Sequence, residues 1–540
     1  MGAPLPINRY RNALRKRRVH WVNNQRIRNM AEQVEQNAPP NANHDPVIVF
    51  NASTRLSGLS LNAAYSLLTS WSLRLAGVPV VHFACRSGMS RCVLGTNRED
   101  VYKALPCQEC IAQSEVNYSA GQRVWFTYQP DTDLERLVRK LGVEELTGFT
   151  YQDFPLGDLV LPSIRWVLRC HHLADDAATR YLYQEFIKSA WSVAYQFKNL
   201  VEQSHPAAVL IFNGMFFPEA TARWVARSRG VRVVSHEVGL RPFTGFFTTG
   251  DATAYPIHIP DDYQLSAAQN ARLDAYLEQR FQGNFTMAGV QFWPEIQSLS
   301  PVFLAKAKEF KQVVPVFTNV IFDTSQGHAN VVYPHMFAWL DDVLEIIRNH
   351  PETLFVIRAH PDESRPGKAS RESVADWIQK NRVNDEANVW FVSSEAYFSS
   401  YELIQRSKFV MVYNSTIGLE ASVMGAPVLC AGKARFTQLE TVFSPKTSQE
   451  FRQTAEEFLG ADRIDVPLSF QINARRFLHY QLFRTSLSFE DYLEEDGVWQ
   501  GYVALKPFPV TALMPDNSET LGIIVDGILT GRPFLLESGV

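Results

Sequence analysis

A chain of 540 residues, 46% hydrophobic and 12% aromatic, is long enough for two to four domains with buried cores. Its charged residues make up 20% and its formal net charge is −4, which excludes the basic excess of a dedicated nucleic-acid binder. No apolar run reaches the ~18 residues of a membrane-spanning helix and the first residues lack the apolar core of a secretory signal, so a cytoplasmic protein is expected.

Residues 1–45 are basic first and then rich in Asn and Pro. They read as a solvated helix and linker, or as an arm that docks on anionic lipid or on a partner protein. From residue 46 the text alternates. Strand-like runs at 46–53 and 78–84 flank an amphipathic helix at 61–77 that ends in glycine, a βαβ opening that implies a parallel sheet. Residues 125–205 are helix-rich. A second unit follows, with a strand at 207–214, a helix at 218–230 that begins at Pro218 and ends at Gly230, and a strand at 231–237. Residues 250–300 read as a connection between two halves. The second half runs strand 313–319, helix 335–350, strand 353–361, a helix at "ADWIQKN", strand 388–394, helix 400–407, strand 408–416, helix 417–425 and strand 426–432. The remainder reads as mainly helical.

The expected architecture is therefore α/β, with two Rossmann-like, doubly wound domains facing a cleft. Residues 46–300 and 301–435 form the two domains, and 436–540 a helical C-terminal extension. In open α/β sheets ligands bind beyond the carboxyl ends of the strands. Asn213-Gly214, His236-Glu237, Thr318-Asn319, His360-Pro361 and Asn414-Ser415-Thr416 all fall at such ends. Ser415 or Thr416 is placed to cap the helix at 417–425, where unpaired N–H groups favour a phosphate. Gly418 would let a ligand approach the backbone. Arg358 and His360, two apart on one strand, would add charge and a hydrogen bond to the same anion. Asp323 and Glu420 are further carboxylates near this edge, Glu420 within reach of a ribose.

Several familiar sites are absent. There is no GxxxxGK[ST] loop, no GxGxxG after the first strand, no HExxH and no GxSxG. The segment 313–437, with "VFTNVIFD", "FVIRAHPDE" and "SSYELIQRSKFVMVYNSTIGLEASVMGAPVLCAG", resembles bacterial capsule and surface-polysaccharide glycosyltransferases of the GT-B fold, including Kdo-transferase and sialyltransferase-like groups. The resemblance implies that His360-Pro361 and Ser415-Thr416 hold a CMP- or UDP-sugar donor, and that Glu237, in Glu237-Val238-Gly239, is the general base, with His236 beside it. Such a base would take the proton of an acceptor hydroxyl as it attacks the sugar, with inversion and with no need of a catalytic metal. The acceptor would be a surface glycan or a lipid-linked glycan, which allows peripheral contact with the inner membrane or with assembly proteins. "HEVGLR" is also similar to the "HxEAGLR" loop of UDP-GlcNAc 2-epimerases, one residue out of register. An epimerase is thus the alternative enzyme, and a non-catalytic polysaccharide assembly or export partner the alternative outside enzymology.

Four of the six cysteines cluster in sequence: Cys85, Cys92, Cys107 and Cys110. A C-x2-C pair in a loop rich in glycine and basic residues suits a structural zinc, although the spacing of the first pair is wide for a knuckle, and free thiols are the other reading. Cys170 and Cys430 read as core residues.

Overall fold

The computed structural model describes residues 6–40, 44–51, 57–281, 298–365 and 369–537. Residues 52–53 of the first expected strand lie outside them. The strands, in chain order, are β1 (Val47–Asn51), β2 (Leu59–Ser60), β3 (Val80–Cys85), β4 (Gln122–Phe126), β5 (Ala208–Phe212), β6 (Arg232–Val238), β7 (Thr244–Thr248), β8 (Gln312–Phe317), β9 (Thr353–Arg358), β10 (Val389–Val392), β11 (Val410–Val412), β12 (Val428–Cys430), β13 (Leu487–Ser488), β14 (Leu493–Glu495) and β15 (Tyr502–Leu505).

Two sheets carry the molecule. The N-terminal sheet runs β13-β7-β6-β5-β1-β3-β4 and the C-terminal one β10-β9-β8-β11-β12. Strands β4, β3, β1, β5 and β6 are parallel, as are all five strands of the second sheet. In both, the domain's first strand is central, its second and third lie to one side and its next two to the other. This is the doubly wound arrangement, which leaves a crevice where the winding reverses.

The apolar runs explain the layering. Val47 and Val49 face one core, shared with the helix Leu61–Leu75, while Ile48 and Phe50 face another, shared with the helix Ala177–Ser204. A strand covered by helices on both faces is apolar at successive positions rather than at alternate ones. Strand β9 divides likewise: Leu354 and Val356 go to one face, Phe355 and Ile357 to the other.

Both chain ends differ from the sequence reading. The N-terminal segment is one helix, Pro6–Asn37, and its later turns bury Ile27, Met30, Ala31 and Val34 in the N-terminal core. That half is a wall of the domain rather than a solvated arm, because these four residues share one helical face. The stretch 436–540 is not a single helical extension. The helices Ser448–Gly460 and Leu468–Phe483 pack on the C-terminal domain, and the chain then returns. Strand β13 pairs antiparallel with β7, β15 pairs with β2, and the helix Glu519–Thr530 buries Leu521, Ile524 and Ile528 in the N-terminal core.

Candidate functional site

Glu237 stands near the carboxyl end of β6, beside β5 and ahead of a tight hairpin into β7. Asn213 follows β5 with φ +58°, and Gly214 follows with φ +82°. This left-handed pair turns the Asn213 side chain back over the sheet. Its Oδ1 accepts the Met215 N–H at 3.0 Å, so its amide nitrogen points the other way and donates to Glu237 Oε2 at 2.7 Å. Asn62, on the helix Leu61–Leu75, donates to Oε1 at 3.4 Å, and the Val238 N–H reaches Oε1 at 2.8 Å. Asn62 also lines a small cavity with Asn51, Ser66 and Glu219. Glu237 itself is half-buried.

The neighbouring histidine takes no part in this arrangement. Successive strand residues point to opposite faces, and His236 is fully buried, bonded through Nε2 to Ser66 Oγ at 2.9 Å and stacked on Phe247. It is a core histidine, and the expectation that it shares the chemistry with Glu237 is corrected. Gly239 belongs to the hairpin rather than to a ligand site: its N–H bonds Thr244 O at 2.7 Å, and a Cβ there would lie 2.3 Å from Thr244 Oγ1.

Across the domain junction lies a polar cavity of about 250 Å³. Asn319, Asp323, His360, Asn414, Ser415 and Thr416 line it from the loops after β8, β9 and β11. Lys433 and Arg435 come from the loop after β12, and Thr253 and Pro256 from the N-terminal side. His360 Nδ1 accepts the Asp362 N–H at 3.2 Å. The ring proton of neutral imidazole then sits on Nε2, which becomes a hydrogen-bond donor. Burial holds the His360 pKa below the ordinary histidine range, with Arg358 acting the same way and Asp362 and Asp323 opposing. Asn414 Oδ1 accepts from Asn319 Nδ2 at 2.7 Å, and Asp323 Oδ1 accepts the Ser325 N–H at 2.8 Å.

Four expected donor-side residues do not line this cavity. Thr318 is buried and its hydroxyl donates to Arg358 O at 2.9 Å. The Arg358 side chain is 5% exposed and does not line the cavity, and its burial lowers its pKa to about 10. Gly418 faces the interior, where a Cβ would stand 3.0 Å from Phe436 and from Val412. Glu420 is buried under Arg280, whose guanidinium reaches Oε1 at 2.6 and 2.9 Å, while Tyr401 donates to Oε2 at 2.5 Å. Ser415 and Thr416 do line the cavity, but no side chain caps the helix Ile417–Val423. Thr416 already has helical φ and ψ (−61°, −18°), unlike the extended backbone from which a hydroxyl usually reaches back to cap.

Tyr255 joins the two halves of the site. Its hydroxyl donates to Val238 O at 2.7 Å, one residue beyond Glu237, and Arg435 stacks on its ring at 4.0 Å. Lys433, Arg435, Asn62 and Tyr255 were missed in the sequence. Lys433 and Arg435 directly follow a strand end and obey the same edge rule, whereas Asn62 and Tyr255 carry no comparable signal. All four clustered cysteines line one separate cavity, and among the described residues no three ligand-type side chains stand in a metal-holding arrangement.

Residues 294–476 match the family of capsule polysaccharide biosynthesis proteins, which bears out the resemblance read from 313–437. No curated protein matches. Among solved structures, the chain is similar to the KpsC β-Kdo 2,7-transferase of Thermosulfurimonas dismutans, at 14% identity over 52% of this chain and 80% of that one, with a TM-score of 0.30. The β-Kdo 2,4-transferase of the same protein gives 11% identity over the same shares and a TM-score of 0.34. The UDP-GlcNAc 2-epimerase of Neisseria meningitidis gives 12% over 80% of this chain and 97% of that one, with a TM-score of 0.25. Likenesses this distant carry no information on substrate.

Proposed function

We propose that the protein is an inverting glycosyltransferase that moves a sugar from a nucleotide-sugar donor to a capsule-type polysaccharide or lipid-linked glycan acceptor. The observation that carries the reading is the pairing of Glu237, held by Asn213 and Asn62, with the polar cavity on the facing domain, the two linked through Tyr255 and Arg435.

An acceptor hydroxyl is a poor nucleophile at neutral pH. Glu237 takes its proton as the oxygen attacks the anomeric carbon. The bond to the nucleotide breaks on the opposite side, which inverts that carbon. Charge gathers on the leaving phosphate, where His360 Nε2, the hydroxyls of Ser415 and Thr416, and the cations Lys433 and Arg435 are placed to receive it. This donor set supports the reading of a site in which protein groups neutralise the phosphate.

Among the described residues no helix is long and apolar enough to cross a membrane. Trp21 is 63% exposed, Trp499 is 48% exposed with Lys16 over its ring at 3.9 Å, and Arg17 and Arg18 stand exposed nearby in sequence. A basic, aromatic face of this kind supports surface contact with a membrane carrying a lipid-linked acceptor.

The test is a thermal-shift panel of CMP, UDP, GDP and dTDP, followed by transfer assays with sugars of the nucleotide that binds. One nucleotide is expected to stabilise the chain, by about 2.7 kcal/mol at a hundredfold excess over Kd. Glu237→Gln is expected to keep that shift and to lose on the order of 10²–10⁴ in transfer rate. Absence of any nucleotide response would sink the donor-site reading and favour a non-catalytic assembly partner.

A further inference from the structure

Cys85 ends β3, Cys92 lies in the loop beyond it, and Cys107 and Cys110 occupy the start of the helix Cys107–Asn117. The fold brings all four to one apolar cavity of about 30 Å³, walled otherwise by Met89, Leu94, Leu105 and Ile111. None is in a disulfide. Cys85 Sγ accepts the Gly88 N–H at 3.2 Å and Cys92 Sγ accepts the Gly95 N–H at 3.2 Å. Each is a Cys-x-x-Gly turn that aims a backbone donor at sulfur. The glycines are required by space, since a Cβ at 88 would overlap the Phe126 ring at 2.1 Å and one at 95 would lie 2.9 Å from Cys92 Sγ. Amide donors to sulfur favour the thiolate. A bound cation would use those donors, because a coordinating thiol is deprotonated outright.

We propose that Cys85, Cys92, Cys107 and Cys110 together bind one zinc ion, which pins the loop between β3 and the helix Cys107–Asn117. Four thiolates around a tetrahedral centre are the ligand set that structural Zn²⁺ prefers. A water-sized occupant needs roughly 10–15 Å³, so the cavity has room for a single ion. Among the described residues no three ligands stand in a metal-holding arrangement, so binding requires the thiols to move together within the cavity they share. Binding releases the four thiol protons to solvent. Cys92, Met89 and Leu94 also line the cavity beside Asn62. The ion would therefore stiffen a wall next to the carboxylate site without touching substrate, and the proposal stands whether or not the chain transfers sugars.

Full-length protein purified without chelator is analysed for metals by mass spectrometry, with zinc release followed colorimetrically during titration with a mercurial. One zinc per chain is expected, released as four thiols react. Cys107→Ser/Cys110→Ser should lose the zinc, and Cys430→Ser, a substitution in the other domain, should keep it. If the double variant does not fold, the wild-type stoichiometry and the thiolate-to-metal charge-transfer bands of the Co²⁺-substituted protein decide instead. Wild-type protein with no zinc, with iron and acid-labile sulfide, or with zinc retained after both substitutions would overturn the proposal.

Discussion

Glu363 shows how one buried carboxyl ties stability to the site. It is 4% exposed, and burial raises its pKa to about 7, with Asp376 acting the same way and the Val374 N–H, 2.7 Å from Oε1, opposing. Its own N–H bonds His360 O at 3.0 Å, so it belongs to the turn that aims His360 at the donor cavity. A folded-state pKa above the ordinary value of 4.5 means that the folded protein binds more protons between the two. Stability from this group is therefore complete below the unfolded value and lost as pH rises through about 7. Glu363→Gln keeps an acceptor for Val374 and removes the titration. The variant is expected to melt above the wild type at pH 8, by at most about 3 kcal/mol, and to converge with it in acid. Equal pH slopes for the two proteins would refute the assignment. Much of the candidate site was legible at this scale, because Asn213, Glu237, Asn319, His360, Asn414, Ser415 and Thr416 sit where strands end. The same rule picked out Thr318 and His236, and the reading of the following helix picked out Gly418 and Glu420, all of which point into the protein. Sequence position locates an edge, but the face on which a side chain leaves it depends on neighbours contributed from elsewhere in the chain, such as Ser66 for His236 and Arg280 for Glu420.

Elements were legible in proportion to how completely they are buried. Strands β1, β5, β8 and β9 are near-continuous apolar runs and fall where the sequence places them. Strand β4 is half-exposed "QRVWF" and β14 is "LEE". Such strands are defined by the partner they pair with rather than by their own pattern. The helix Pro6–Asn37 was misjudged for a related reason: only the face carrying Ile27, Met30, Ala31 and Val34 is apolar, amid a basic sequence. A polar anchor fixes that helix as well. Asn23 is buried, its Nδ2 donates to Val503 O at 3.2 Å and its Oδ1 accepts the Leu505 N–H at 2.9 Å. It completes the bonding of β15, the strand by which the C-terminal segment rejoins the N-terminal domain. Asn23→Ala leaves two buried backbone groups without their partner and should cost about 1–3 kcal/mol. Urea unfolding would register this as a lower midpoint with an unchanged slope. An unchanged midpoint would mean that the helix is held by its apolar face alone.

The two domains also meet through a cluster of histidines. Glu372 of the C-terminal domain accepts the backbone N–H groups of His171 and His172 at 2.8 and 3.1 Å, and its other oxygen meets His172 Nδ1. His335 Nδ1 accepts the Ala338 N–H at 3.1 Å, so its proton sits on Nε2 and is donated to His172 Nε2 at 3.2 Å. The His171 ring packs between these groups. This contact needs His171 and His335 neutral. Burial lowers the His171 pKa to about 3, with Arg165, His335 and His172 acting the same way. Burial lowers that of His335 too, reinforced by His172 and Arg165 and opposed by Glu372 and Asp341. A histidine whose folded pKa is depressed lets the opened or unfolded state bind more protons. The contact is therefore complete above the ordinary value of 6.5 and is lost as pH falls from there towards 3. The cleft lies between the same two domains, so loosening this contact lets Glu237 and the donor cavity separate. Lowering the pH from 7 to 5 should enlarge the radius of gyration measured by X-ray scattering and weaken nucleotide binding. His335→Asn retains an acceptor for the Ala338 N–H and removes the titrating ring, so it should be looser already at pH 7 and flatter in its pH response. If wild type and variant expand equally on acidification, the histidine contact does not govern the domain junction, and the burden shifts to the Thr253–His328 bond at 3.1 Å on the cleft side.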